Sequence, residues 1–116
     1  MERKRFELKL FLLHFGGGCK MLENKFQAKL IGEIKDRFKG AMVLKNDPDY
    51  IQGIPDLMVL YNNHWAALEV KKSPNERHQP NQDYYISIMN RMSFARFICP
   101  ENKEEVLNDM ERSFEV

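Results

Sequence analysis

The chain has 116 residues, enough for one domain with a real hydrophobic core and too few for a separate specificity domain. With 43% hydrophobic and 30% charged residues it has the composition of an ordinary soluble globular protein. The net charge of +1 is unevenly placed: residues 1–20 carry five Lys/Arg against two Glu, or +3, and residues 21–116 carry 13 against 15, or −2. An acidic main body counts against a strong non-specific nucleic-acid binder. Cys19 and Cys99 have no metal-ligand spacing and fit a reduced, intracellular protein better than a disulfide scaffold.

Met1 to Lys20 reads poorly as part of the domain. Its basic start and the apolar run Phe6–Phe15 mimic a signal peptide, but Glu7 and Lys9 interrupt the run and no small-residue cleavage site follows. The run is also too short to span a bilayer. We expect an N-terminal extension over 1–20 that is either non-native, with Met21 as the natural start, or an extra strand or dimer arm. The domain proper is expected over 21–116.

Leu22 to Lys39 has the spacing of an amphipathic helix, with Leu22, Phe26, Leu30, Ile34 and Phe38 four residues apart and Gly40 as terminator. Glu23 lies beside that stripe, where a carboxylate suits a helix N-terminus. Ala41–Lys45 reads as a short strand, and Asn46–Gly53 as a polar loop in which Lys45 and Tyr50 are candidate DNA contacts. Leu57–Tyr61 and His64–Leu68 read as two strands joined by the turn Asn62-Asn63, the second continuing into Leu68-Glu-Val-Lys71.

Residues two apart on a strand share a face, so Glu69 and Lys71 point one way and Val70 the other. A hairpin can bring Asp56 beside them. Two carboxylates on rigid strands suit Mg²⁺ or Mn²⁺, and an ammonium beside them can orient water or offset charge on a phosphate. A bare Glu-x-Lys is more often a surface ion pair; the Pro55-Asp56 upstream, the hairpin and the apolar flanks favour a site. Pro48-Asp49 is a decoy, since no strand follows it.

Lys71 to Pro80 is a basic connection in which Lys72, Arg77 and His78 are the best phosphate contacts. His78 and the distant His64 lack a Cys pair, which sets zinc aside. Asn81 is the expected cap of the next helix, with Tyr84, Tyr85, Ile88, Met89 and Met92 inward. Ser93–Cys99 reads as a strand parallel to its predecessor across the helix, ended by Pro100. Glu101–Phe114 is a last helix with Val106, Leu107, Met110 and Phe114 inward. The order α-β-β-β-α-β-α predicts an α/β fold with a central mixed β-sheet flanked by helices.

Gly53-x-Pro55-Asp56, a short hairpin, Glu69-Val70-Lys71 and then Gln82-x-x-Tyr85 resemble the signature of PD-(D/E)xK nucleases, and in particular their VRR-NUC branch with its small stand-alone phage-type members. The resemblance covers about residues 22–114. It implies a restriction-endonuclease-like core. It also implies an endonuclease that hydrolyses DNA phosphodiesters with Mg²⁺ or Mn²⁺ and leaves a 5′-phosphate and a 3′-hydroxyl. Asp56, Glu69 and the Val70 carbonyl would hold the metal. Lys71 would act on water or developing charge, Gln82 (or Gln79) would support it, and Glu23 would stand at the metal site from the first helix. The resemblance further implies a homodimer acting on branched DNA such as four-way junctions, in phage replication, recombination or repair. No membrane is involved, and the location is cytoplasmic, in a bacterial host if the protein is phage-encoded. The alternative from another class is a non-catalytic nucleic-acid-binding or regulatory module that keeps the nuclease fold.

Overall fold

The computed structural model of the chain describes residues 18–115, with side chains from residue 22 onward. Residues 1–17, where an extra strand or dimer arm at Phe6–Phe15 was expected, lie outside the described residues. The elements run α1 (Gly18–Arg37), β1 (Met42–Lys45), β2 (Leu57–Tyr61), β3 (His64–Val70), α2 (Gln82–Met92), β4 (Ala95–Ile98) and α3 (Lys103–Phe114). They form an α/β fold with one four-stranded mixed sheet in the order β1-β2-β3-β4. The pairs β1/β2 and β2/β3 are antiparallel, and β3/β4 is parallel across the α2 crossover. No helix among the described residues is long and apolar enough to cross a membrane.

β3 is buried from Ala66 to Val70 because both of its faces are covered. Leu68 and Val70 enter the main core with Leu57 and Val59 of β2, Leu30, Ile34 and Phe38 of α1, and Val106, Leu107, Met110 and Phe114 of α3. Glu69 and Lys71 face the other way, toward α2, which packs on β3 and β4. An aromatic cluster closes the far end: the Phe38 and Tyr61 rings meet each other at 5.5 Å between centroids, and meet Phe114 at 5.7 and 5.8 Å. At the surface Glu33 pairs with Lys103 at 2.8 Å and Arg37 with Glu111 at 2.9 Å, tying α1 to α3.

Several sequence expectations need correction. The first helix starts at Gly18, across the expected boundary at Met21, and Leu22 is 62% exposed, one turn before the core contacts begin at Phe26. Asn81 does not cap α2 through its side chain; it sits in the left-handed region at φ 73° and gives its carbonyl to the Tyr85 N–H. Besides buried Gln82, the expected Tyr85, Ile88 and Met89 are half-buried, as is Ile86, while Tyr84 (59%) and Met92 (69%) are exposed. A polar residue fixes the phase of that helix, which an apolar periodicity could not reveal.

Truncating the fully buried Ile34 or Met110 to Ala is expected to cost about 2–5 kcal/mol. Met92→Ala and Tyr84→Ala are expected to stay within about 0.5 kcal/mol. Urea unfolding curves check both; a large loss for Met92→Ala would restore it to the core.

Candidate metal and phosphate site

The β2–β3 hairpin and the loop before it bring the sequence-predicted residues together. By the ladder register, Val70 stands opposite Pro55. Proline has no N–H, so it cannot complete that rung. The Pro55 carbonyl is taken by the Asn46 side-chain amide at 2.8 Å, and the Val70 N–H turns to Asp56 Oδ2 at 2.9 Å. A strand residue's C=O leaves on the same side as its N–H. The Val70 carbonyl therefore faces the Asp56 edge, with no donor from Pro55 to occupy it. The proline opens the rung, and the next residue's carboxylate fills half of it.

The loop that delivers Asp56 is held tightly. Gly53 has φ +90°, and a Cβ there would lie 2.6 Å from the Asn81 Cβ and 2.8 Å from the Pro80 carbonyl oxygen. Glycine is needed twice over, for the backbone conformation and for the close approach to the start of α2. The decoy aspartate Asp49 is exposed, in a turn where its N–H bonds the Asp47 carboxylate at 2.8 Å.

On the α2 side, Lys71 and Glu69 are each only 4% exposed, and Gln82 joins them. Gln82 Oε1 accepts from Lys71 Nζ at 2.8 Å and from the Gln79 N–H at 2.8 Å; its Nε2 donates to Glu69 Oε2 at 2.9 Å. Gln79 thus contributes its backbone to the bridge, and Gln82 supplies the amide. Lys71 also donates to the Arg77 carbonyl at 3.2 Å, which leaves one of its three N–H groups for the cleft.

The cleft has a volume of about 540 Å³, and Glu23, Asp56, Glu69, Lys71 and Glu76 line it. Glu76 was not singled out from the sequence. The turn Ser73-Pro-Asn-Glu76, closed by the Glu76 N–H to the Ser73 carbonyl at 3.2 Å, places it there. Its Oε1 accepts the Lys72 N–H at 2.6 Å, and its Oε2 stands 3.9 Å from Lys71 Nζ. The turn-forming Ser-Pro-Asn before a glutamate was the available signal.

Crowded carboxyls in a desolvated cleft hold their protons. Burial, then the neighbouring Asp56, raises Glu69 to about 8, against the lowering influence of Lys71. Burial and the adjacent Glu76 raise Glu23 to about 7. Asp56 is also raised, mainly by burial, with the Val70 N–H and the Glu69 carboxyl pulling the other way. Glu69 is therefore the protonated partner of a Glu69–Asp56 carboxyl pair near neutral pH. Once ionised, Glu69 Oε1 is buried with no hydrogen-bond donor. A proton satisfies that atom, and so would a cation.

That orphaned oxygen, the paired Asp56 and the open Val70 carbonyl make a donor set that fits a hard divalent cation. No group of three or more His, Cys, Asp or Glu among the described residues is gathered closely enough to hold a metal alone. Two carboxylates, a carbonyl and water suffice for Mg²⁺, which keeps several waters. Glu23 reaches the same cleft from α1.

The sequence-predicted phosphate contacts are more scattered. Lys72 lines the cleft, while Arg77 and His78 sit on its β3–α2 loop. His78 stacks on Phe97 and bonds Asp83 at 2.7 Å. Lys45 is exposed at the end of β1, and Tyr50 is 83% exposed on the loop that follows.

Two outcomes are expected. A raised carboxyl binds its proton more tightly folded than unfolded, so its contribution to stability is full below about 4.5 and is lost as pH climbs through about 7 and 8. The metal-free protein is expected to melt progressively lower over that window, and Glu69→Gln to melt higher than wild type at pH 8.5 by on the order of 5 °C. Melting curves across pH check this; a wild-type profile that rises toward pH 8.5 would contradict it. Gly53→Ala is expected to cost about 1–3 kcal/mol through backbone strain and the clash with Asn81, read by urea unfolding.

In comparisons with known proteins, the chain matches no protein-family model and no curated protein.

Proposed function

We propose that the protein is a Mg²⁺- or Mn²⁺-dependent deoxyribonuclease with a restriction-endonuclease-like core of the VRR-NUC type. The observation that carries this reading is the orphaned Oε1 of buried Glu69, set beside Asp56 and joined through Gln82 to a buried lysine. A structural ion pair would satisfy that oxygen with a donor from another side chain; here only a proton held between Glu69 and Asp56 does so, and a cation could take its place.

Asp56 and Glu69 would hold the cation with the Val70 carbonyl, and Glu23 would reach it directly or through water. The cation's role in such a site is to polarise the phosphodiester and acidify the water it holds. Gln82 and the Arg77 carbonyl fix the Lys71 ammonium, and its remaining N–H points the attacking water or neutralises the phosphate as negative charge grows. By the resemblance, hydrolysis would expel the 3′ oxygen and leave a 5′-phosphate and a 3′-hydroxyl.

The substrate, as the resemblance implies, is a branched or otherwise non-duplex DNA. One active site cuts one strand, so paired cuts call for a homodimer. Edge strand β1 supports that assembly: its Met42 and Leu44 are 58% and 43% exposed on one face, an apolar edge that a second copy would cover.

The test is cleavage of labelled four-way junction, flap, single-stranded and duplex DNA with Mg²⁺ or Mn²⁺. Lys71→Ala is expected to lose about 10²–10³-fold in rate. Asp56→Ala is expected to abolish Mn²⁺ binding measured by calorimetry. Because the cation must displace protons, wild-type Mn²⁺ affinity is expected to rise from pH 6.5 to 8.5. DNA binding without any metal uptake or cutting would replace the nuclease with a non-catalytic binding module.

A further inference from the structure

Two cavities open beyond the carboxyl ends of β3 and β4, and Lys71 lies in the wall of both. Such crevices past the ends of parallel strands are where open α/β sheets take ligands. One is the carboxylate cleft. The other, of about 230 Å³, is walled by Ser73, Pro74, His78 and Phe97 and has no part in the hydrolysis described above. It falls below the roughly 300–1,000 Å³ of sites for drug-sized ligands. That size suits a single planar ring system.

The chemistry of its walls suits such a ring. The His78 imidazole lies on the Phe97 ring at 4.0 Å between centroids and 14° between planes. Its Nδ1 is bonded to Asp83 Oδ1 at 2.7 Å, which fixes the plane. One face of the imidazole is spent on Phe97, and the side chain keeps 35% exposure where both rings line the cavity. The stack is also tied to the reacting centre. The carbonyl of Arg77, the residue before His78, accepts from Lys71 Nζ at 3.2 Å. A phosphate held at Lys71 would therefore have an oriented aromatic surface beside it, on the side away from the carboxylates.

We propose that this second cavity is a nucleobase subsite, in which the base next to the phosphate at Lys71 stacks on the His78–Phe97 pair. The proposal rests on the nuclease reading and gives it a substrate class: DNA with an unpaired nucleotide at the point of cutting. A base inside a duplex stack cannot enter a cavity in the wall; it must be unpaired already or turned out. Stacking of this kind tolerates any base, because every base has a π-face.

The experiment measures binding of two fluorescent strands of equal length and charge to the full chain in EDTA. One is oligothymidylate, and the other has every nucleotide abasic. Wild type is expected to bind the base-bearing strand about tenfold more tightly. His78→Ala is expected to remove most of that preference by weakening the base-bearing strand far more than the abasic one, and His78→Phe to keep it. The subsite is overturned if wild type binds both strands equally or neither, if His78→Ala weakens both alike, or if His78→Phe behaves as His78→Ala. Cutting of flap and junction DNA with Mn²⁺ is scored separately. Base preference without cutting sinks the nuclease reading and leaves the subsite standing, whereas cutting without base preference does the reverse.

Discussion

A single buried amide, Gln82, joins the ammonium of Lys71 to the carboxyl of Glu69, and the rest of the site is arranged around that bridge. Lys71 and Glu69 are two apart on an extended segment, so both project toward α2. They stand 3.9 Å apart at Nζ and Oε2, beyond hydrogen-bond reach. The amide takes up the difference, accepting from one and donating to the other. It also explains why α2 begins where it does. The helix starts with Gln82 buried, its oxygen further held by the Gln79 N–H, and the apolar face follows from that anchor.

The bridge satisfies Lys71 and one oxygen of Glu69, and leaves the other oxygen turned toward Asp56 without a donor. Burying an ionised carboxylate in that state is costly, which is why Glu69 keeps its proton near neutral pH. The fold thus concentrates its least comfortable groups in one cleft and stabilises the remainder through a continuous apolar core and an aromatic cluster at the far end. Local discomfort of this kind persists only where the surroundings are well determined, and it is a common mark of a functional site.

The loops supply what the sheet cannot. Pro55 removes one ladder donor, and Asn46 and Asp56 replace the missing partners. Gly53 lets the loop before Asp56 lie against the start of α2. The Ser73–Glu76 turn adds a further carboxylate and holds the loop whose next residues, Arg77 and His78, brace Lys71 and flank the second cavity. Both cavities therefore share one lysine, with acidic oxygens on one side and stacked rings on the other.

Much of this was legible in the residue order. The alternation in Leu57–Tyr61 and His64–Val70, the Asn-Asn turn and the four-residue apolar repeat of α1 determine the strands, the hairpin and the buried face, because side-chain periodicity depends only on local geometry. Asp56, Glu69 and Lys71 could be picked out by their order around a hairpin, whereas Gln82, with Gln79 as its competitor, rested on the resemblance alone. The role of Glu76, the inward phase of α2, the exposure of Leu22 and the cavity beside His78 depend on how separate elements meet. Only the tertiary structure decided those, since which face of a helix is buried, and whether a carboxylate finds a donor, is set by neighbours distant in the chain.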